Sequence, residues 1–190
     1  PAVPAIVWKE AQTLESENAV SSFLCALPSD ARVALLMQES GFSLAASDGA
    51  QAVIPFSQGL LGGGLDPLSA AKALEPLLTG TRRLILFNAK RLKTELAPWN
   101  LAVAAPFDDD QIMQYLIAPQ SGKYEAPENA AALFTRTLSD EQTLDAQEMS
   151  RLYREIELPL LDTLYAMERD GFLVDREELA QLGAQYDAQI

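Results

Sequence analysis

The sequence contains no histidine, and this absence excludes several classes of active site at once. Histidine-based triads, histidine general bases and histidine metal ligands are all impossible. Any metal site would have to use oxygen ligands, which favour magnesium or manganese. The single cysteine, Cys25, excludes an internal disulfide and is typical of a reducing compartment. Its neighbours in the sequence are apolar, so we predict a buried, unreactive thiol.

Basic residues are scarce, since 14 Lys and Arg stand against 27 Asp and Glu and give a formal net charge of −13. Affinity for nucleic acid depends largely on Lys and Arg that displace counterions from phosphates. Bulk electrostatic binding of DNA is therefore not expected, although a local basic patch is compatible with this balance. No apolar run approaches the roughly 20 residues that span a bilayer. The amino terminus lacks a secretory pattern, and we predict a cytoplasmic protein without membrane contact.

The chain does contain enough apolar residues, 48% of 190, for a packed domain with an appendage. An apolar run at 33–37 is followed by one carboxylate, Glu39, and predicts a buried strand. Asp-Gly within 47–49 lies between two apolar segments and predicts a hairpin. Further strands at 84–87 and 101–104 alternate with helices. The pattern predicts an α/β fold, with a mixed β-sheet flanked by helices.

Capping and breaking residues predict where the helices begin and end. Helices are expected at 17–27 and 90–96, from Asp66-Pro67 to Gly80, and from Asp109 or Asp110 onward. The glycine-rich segment 59–64 would be a phosphate-binding loop if it ended in Gly-Lys-Ser/Thr. It lacks that ending, so a linker is the favoured interpretation.

The carboxyl-terminal segment predicts a helical hairpin. Its first helix carries an apolar stripe at helical spacing: Leu152, Ile156, Leu160, Leu164 and Met167. Pro159 should kink that helix, and Gly171 should end it. Asp175 and Glu178 are spaced as a capping box for a second helix.

The amino-acid sequence of this segment is more informative than its periodicity alone. LYREIELPLLDTLYAMERDGFLVDREEL closely resembles the stretch of family A DNA polymerases (bacterial DNA polymerase I) that joins the 3′–5′ exonuclease-like domain to the thumb. Upstream, GFSLAASDGAQAVIPF, ILFNAKRLKTEL and AAPFDDDQIMQYLIAP are similar to strands and helices of that exonuclease domain. The resemblance implies a ribonuclease H-like fold. It also implies three parts: a lead-in and short helix at 1–29, a degenerate exonuclease-like domain at 30–147, and the linker helix and truncated thumb at 148–190.

The same resemblance implies where an exonuclease site would lie. In active members of the family, four carboxylates hold two divalent metals that activate a water. The matching positions here are Met37, Glu39, Leu92 and Asn129, with Glu125 at the position of the family's tyrosine. One carboxylate of four is present. The resemblance therefore implies a vestigial site, with Met37 a core residue and Glu39 a solvated acid.

Two charged clusters admit alternative interpretations. The acidic run 108–110 could bind a cation, but acids at a helix start usually cap it and meet its dipole. The basic cluster could touch a phosphate or a partner polymerase domain, but is more often a solvated face. Its members are Arg82, Arg83, Lys90, Arg91 and Lys93.

Three functions are compatible with these observations. The favoured one is a non-catalytic platform for the polymerase domain of a DNA polymerase I, monomeric and without its own cofactor. Mg²⁺ is then expected only for the parent polymerase domain, through which DNA is bound. The chain starts on Pro1 and stops at Ile190 within a predicted helix, which favours a piece of a longer protein. The alternatives are a weak metal-dependent 3′–5′ exonuclease rebuilt around Glu39, Asp48 and 108–110, and an independent acidic module that binds another protein.

Overall fold

The computed structural model describes residues 6–57 and 63–187, and a mixed six-stranded sheet lies at the centre of that part of the chain. The strands are β1 (Gln12–Thr13), β2 (Val33–Gln38), β3 (Gly41–Ala46), β4 (Gln51–Pro55), β5 (Leu84–Leu86) and β6 (Phe107–Asp109). They lie in the order β1-β4-β3-β2-β5-β6. The β2–β3 and β3–β4 pairs are antiparallel, and the other neighbours are parallel.

Helices cover both faces of this sheet. They are α1 (Glu17–Ala26), α2 (Pro67–Ala73), α3 (Glu75–Leu78), α4 (Ala89–Leu96), α5 (Asp110–Ile117), α6 (Ala130–Ala146), α7 (Ser150–Leu152), α8 (Leu158–Asp170) and α9 (Arg176–Asp187). A 3₁₀ turn, Ala97–Trp99, follows α4, and a π-helical turn, Tyr153–Glu157, lies between α7 and α8. None of the helices within residues 6–57 and 63–187 has the length and apolar character needed to cross a membrane.

The alternation of side chains along β2 explains why both faces are covered. Val33 and Leu35 lie in the main apolar cluster with residues of α1, α2 and α4. Ala34 and Leu36 point the other way and pack in a second cluster with Phe134 of α6. Because successive strand residues point to opposite faces, an unbroken apolar run is what a strand buried on both sides requires.

Several predicted elements are confirmed. The meander β2–β3–β4 is present, and Gly49 in its second turn has φ +86°, where a Cβ would lie only 2.3 Å from the carbonyl oxygen of Val7. The predicted helix starts at Asp66 and Asp109 are confirmed, since each side chain accepts a backbone N–H of the first turn. Residues 59–62 of the predicted linker lie outside the described part of the chain.

Three local predictions are wrong, and one short strand was missed. Residues 101–104 are not a strand, because two backbone N–H groups nearby donate to the Leu78 carbonyl and the edge position is filled by β6. β1 was not predicted, since a two-residue strand has no periodicity to detect. The helix expected up to Gly80 is divided into α2 and α3, and Pro76 lies in the first turn of α3. Cys25 is exposed, because it lies on the outer side of α1.

The helix carrying the apolar stripe is interrupted before Pro159. Pro159 has no N–H to donate and its ring crowds the carbonyl four residues earlier. The chain accommodates this with the π turn, in which the Leu158 N–H donates to the Tyr153 carbonyl. Asp175 caps α9 as predicted, by accepting the N–H groups of Glu177 and Glu178.

The apolar stripe is largely exposed to solvent, although Leu160 and Leu164 also line a groove against α4 and α5. The five members of the stripe are between 36% and 64% exposed: Leu152, Ile156, Leu160, Leu164 and Met167. The linker helix is anchored by other residues, since Tyr153 is 2% and Leu161 6% exposed. Periodicity revealed a stripe, but it could not say which side of the helix would meet this domain.

Candidate functional site

A cleft of about 370 Å³ opens where β2 ends and α4 begins. Met37 and Glu39 line it from the end of β2, and Leu92 lines it from α4. Met37 is the penultimate residue of β2, and Glu39 begins the turn that follows it. Asn88 precedes α4 with φ +56° and accepts the Arg91 N–H through its side-chain oxygen at 2.9 Å. This cap fixes the start of α4 and places Leu92 in its first turn.

The fourth implied position, Asn129, caps α6. Two contacts hold the beginning of α6 against the central strands. Gln38 Nε2 donates to the Glu128 carbonyl at 3.1 Å, and the Ala130 N–H donates to Ser43 Oγ at 3.1 Å. The start of α6 therefore lies against the β2–β3 pair, and Gln38 itself lines the cleft.

These residues do not fit a two-metal centre. The half-buried Met37 and the buried Leu92 offer no hard oxygen ligand. Asn129 uses its side-chain oxygen to accept a backbone N–H of α6 at 2.9 Å, and Glu125 is exposed. Within the part of the chain that the structure describes, no three acidic, cysteine or histidine side chains are grouped to hold an ion. No metal-dependent step follows from this cleft.

The cleft contains a second acid that sequence reasoning missed. Glu95 lines the α4 wall, and its Oε1 lies 3.6 Å from Arg91 Nε. The i, i+4 spacing of Arg91 and Glu95 on a predicted helix is the signal that could have found it. The walls thus combine apolar Met37 and Leu92 with Glu39 and this exposed ion pair.

The acidic run 108–110 is buried. Asp108, Asp109 and Asp110 are 2%, 1% and 0% exposed. Asp108 accepts two hydrogen bonds from Arg83, at 2.6 and 2.9 Å, and one from Arg32 at 3.1 Å. Asp108 and Asp110 are interior acids paired with arginines, so the prediction of capping holds only for Asp109.

Asp109 joins the starts of two helices. Its Oδ1 accepts the N–H groups of Gln111 and Ile112 in α5, and its Oδ2 accepts the Ala89 N–H of α4 at 2.6 Å. Its own N–H donates to the Tyr153 hydroxyl at 2.8 Å. Burial raises the pKa of Asp109 to about 6, in spite of these backbone donors. Asp109 therefore connects α4, a wall of the cleft, to the linker helix, through its carboxylate on one side and its backbone N–H on the other.

Asp110 is held by α6. Arg136 and Thr137 both donate to its carboxylate, the hydroxyl of Thr137 at 2.9 Å. Burial raises the pKa of Asp110, and the hydrogen bond and charge of Arg136 oppose that rise. A buried carboxylate with a cationic partner is a structural ion pair, and removing the partner would leave an uncompensated charge.

The acids of the rearranged exonuclease site are not assembled. In the β2–β3 pair, Gln38 is opposite Gly41 and Val33 is opposite Ala46. Glu39 therefore lies beyond one end of the pair and Asp48 beyond the other, and the pair between them is roughly 17 Å long at about 3.3 Å per residue. Asp48 is bound instead in the hairpin turn, where it accepts the Ala50 N–H at 3.0 Å.

The predicted basic cluster is divided among several partners. Arg82 donates to main-chain carbonyls at and after the end of α1, Arg83 pairs with Asp108, Lys90 with Glu168, Arg91 with Glu95 and Lys93 with Asp162. Each of the five cations thus has an acceptor within the chain. Phosphate contact by these residues stays a prediction, and any phosphate would have to compete with these acceptors.

Comparisons with known proteins identify solved structures with a similar fold. No protein-family model matches the chain, and no curated protein matches it. Its structure is similar to that of Escherichia coli RNase D, an exoribonuclease involved in structured RNA processing. The TM-score is 0.51 and the identity 16%, over 87% of this chain and 52% of that one. The exonuclease domain of EXD2, in a crystal soaked with Mn and GMP, has a TM-score of 0.39 at 14% identity, over 88% of this chain and 97% of that one. The second likeness is too weak to support an argument.

The likeness to RNase D shows the fold. The chain has the ribonuclease H-like, 3′–5′ exonuclease-like architecture, a mixed sheet flanked by helices, with further helices at its carboxyl end. It spans about half the length of the RNase D chain.

Proposed function

We propose that the chain is a non-catalytic 3′–5′ exonuclease-like domain of a bacterial family A DNA polymerase. In this proposal it forms a platform for the polymerase domain of the same protein, in the cytoplasm. Residues 148–190 are the linker helix and the beginning of the thumb. The chain needs no cofactor of its own, and Mg²⁺ and DNA are bound by the parent polymerase domain.

The observation that carries the proposal is the composition of the cleft. The cleft lies at the end of β2, where the resemblance implies the exonuclease site. Met37 and Leu92 line it at two of the positions where that site would need carboxylates. A lone strand acid, Glu39, cannot hold two hard cations in water. An exonuclease-like fold that lacks the metal-binding carboxylates is what we expect of a domain with a supporting role and no nuclease activity.

The exposed apolar stripe supports the role of platform. Contiguous apolar surface rimmed by polar residues usually marks an interaction site. The stripe continues past the end of α8 into Phe172 and Leu173, which are 89% and 103% exposed. In the proposed parent protein this surface meets the polymerase domain, and the linker is fixed to the exonuclease-like domain by Tyr153.

The experiment is a 3′–5′ exonuclease assay of this chain with labelled single-stranded DNA and either Mg²⁺ or Mn²⁺. We expect no nucleotide release above that of a Glu39→Ala control, which reports contaminating nuclease. Release that disappears in Glu39→Ala would refute the proposal and establish a metal-dependent exonuclease with a rearranged site.

A further inference from the structure

A groove of about 280 Å³ lies between α5 and the linker helix α8. This volume suits one or two amino-acid side chains, since sites for whole small molecules usually measure about 300–1,000 Å³. Half-buried Ile112 of α5 and buried Leu161 of α8 line the groove. Leu160 and Leu164 of the stripe line it as well, each 41% exposed. A partner that covers the exposed stripe therefore also reaches the groove.

Two tyrosines also line this groove. Tyr115 is 48% exposed, and its ring packs edge-to-face against that of Tyr124, with the ring centroids 6.3 Å apart. The Tyr124 hydroxyl donates to the Ala118 carbonyl at 2.8 Å, which holds this second ring beside the end of α5. Tyrosine rings bind apolar groups and attract cations to their faces, and tyrosine is enriched among the residues that dominate binding at protein interfaces.

One charge in the groove is left without a partner. The charged side chains that line it are Lys90, Asp109 and Glu157. Lys90 is paired with Glu168, and the Asp109 carboxylate accepts three backbone N–H groups. Glu157 is half-buried, and among residues 6–57 and 63–187 its side chain has no hydrogen bond or ion pair. Because charged groups at an interface are matched by opposite charge, the ligand that complements this groove carries a cation.

We propose that the groove binds a segment of a protein partner in which an apolar side chain stands next to an arginine or a lysine. The apolar side chain contacts Tyr115 and Leu164, and the cation pairs with Glu157. A second copy of this chain is a poor occupant, because two chains with a net charge of −13 repel each other. The proposal concerns the chemistry of the bound segment and does not depend on the partner being a polymerase domain.

The test is a titration of the isotope-labelled chain with capped dipeptides, followed by the NMR chemical shifts of its backbone amides. Acetyl-Phe-Arg-amide carries both the apolar side chain and the cation, acetyl-Phe-Gln-amide lacks the cation, and acetyl-Gly-Arg-amide lacks the apolar side chain. The variant Glu157→Gln removes the unpaired charge with an isosteric amide. Its matched control, Glu177→Gln, removes one exposed acid of α9 outside the groove. Spectra of the free chain at several concentrations report self-association.

We expect acetyl-Phe-Arg-amide to shift the amides of Ile112, Tyr115 and Leu164, and to bind about fivefold more tightly than acetyl-Phe-Gln-amide, as one partly exposed ion pair allows. Acetyl-Gly-Arg-amide should bind more weakly than acetyl-Phe-Arg-amide. Glu157→Gln should abolish the preference for arginine over glutamine, and Glu177→Gln should keep it. An absence of shifts in the groove, equal binding of the dipeptides, or a preference that survives in Glu157→Gln would overturn the proposal. Groove signals that move on dilution of the free chain would overturn it too, since a second copy would then fill the groove.

Discussion

Returning acids to the cleft tests whether its residues occupy the positions of a lost metal site. In the variant Met37→Asp/Leu92→Asp/Asn129→Asp, three new carboxylates join Glu39. The structure places Met37, Glu39 and Leu92 on the walls of one cleft, with the start of α6 beside it. Four converging carboxylates are the ligand set that two divalent cations need. We therefore expect the variant to bind Mg²⁺ or Mn²⁺.

The magnitude follows from the burial of the replaced side chains. Leu92 is 6% exposed and packs in the main cluster, so its loss alone removes about 1.5 to 3 kcal/mol. The new carboxylate at this buried position has no cationic partner when metal is absent. We therefore expect the variant to lose roughly 3–5 kcal/mol of stability in total without metal. Binding returns part of this loss, about 2.7 kcal/mol when the metal is at a hundred times its dissociation constant.

The assay is urea unfolding of the variant with and without MnCl₂ or MgCl₂. Its control, Met37→Asn/Leu92→Asn with Asn129 unchanged, has polar side chains of similar size and no new charge. We expect a metal-dependent gain in the free energy of unfolding for the triple acid variant only. If metal leaves the stability of the acid variant unchanged, the three positions do not form a site and the alignment with the exonuclease pattern is wrong.

Three further predictions concern the buried polar contacts. Tyr153→Phe leaves the Asp109 N–H without its acceptor and should cost about 1–3 kcal/mol in urea unfolding; a change below about 0.5 kcal/mol would contradict this. Because the pKa of Asp109 is raised to about 6, the folded protein binds more protons than the unfolded chain between about pH 4 and pH 6. The contribution of Asp109 to the free energy of unfolding should therefore fall by roughly 3 kcal/mol across that window as the pH rises. Urea unfolding at several pH values should show this fall in the parent chain and not in Asp109→Asn. Arg136→Met leaves Asp110, which is 0% exposed, without its cation and should cost about 3–5 kcal/mol. Its control, Arg151→Met, removes an exposed ion pair and should change thermal stability by less than about 1 kcal/mol.

The sheet was predictable from the sequence because its determinants are local. An unbroken apolar run fits a strand buried on both faces, and Asp-Gly fits a tight hairpin turn. Capping residues such as Asp66 and Asp109 mark helix starts for the same reason, since the bond they make spans two or three residues. β1 and β6 lack such signals. Their pairing depends on which edges of the sheet remain open, and this is set by the whole chain.

The candidate site was predictable only in part. The resemblance placed Met37, Glu39 and Leu92, and one cleft contains all three. The burial of Asp108 and Asp110 could not be predicted, because it depends on Arg32, Arg83 and Arg136, which come from elements distant in the sequence. Three adjacent acids in a sequence are usually solvated. Here their partners come from three other parts of the fold, and only the tertiary structure brings those partners together.

Met37 and Leu92, at the positions where the resemblance implies metal-binding acids, also determine what holds the cleft together. Four carboxylates in one cleft repel one another, so an active exonuclease domain depends on cations to compensate them. Leu92 belongs to the main apolar cluster, and Met37 packs against it. The walls of this cleft are therefore held by the same apolar contacts as the sheet beneath them, at any concentration of divalent metal. A platform must keep its shape whether or not a cation is bound, and this composition of the cleft meets that requirement.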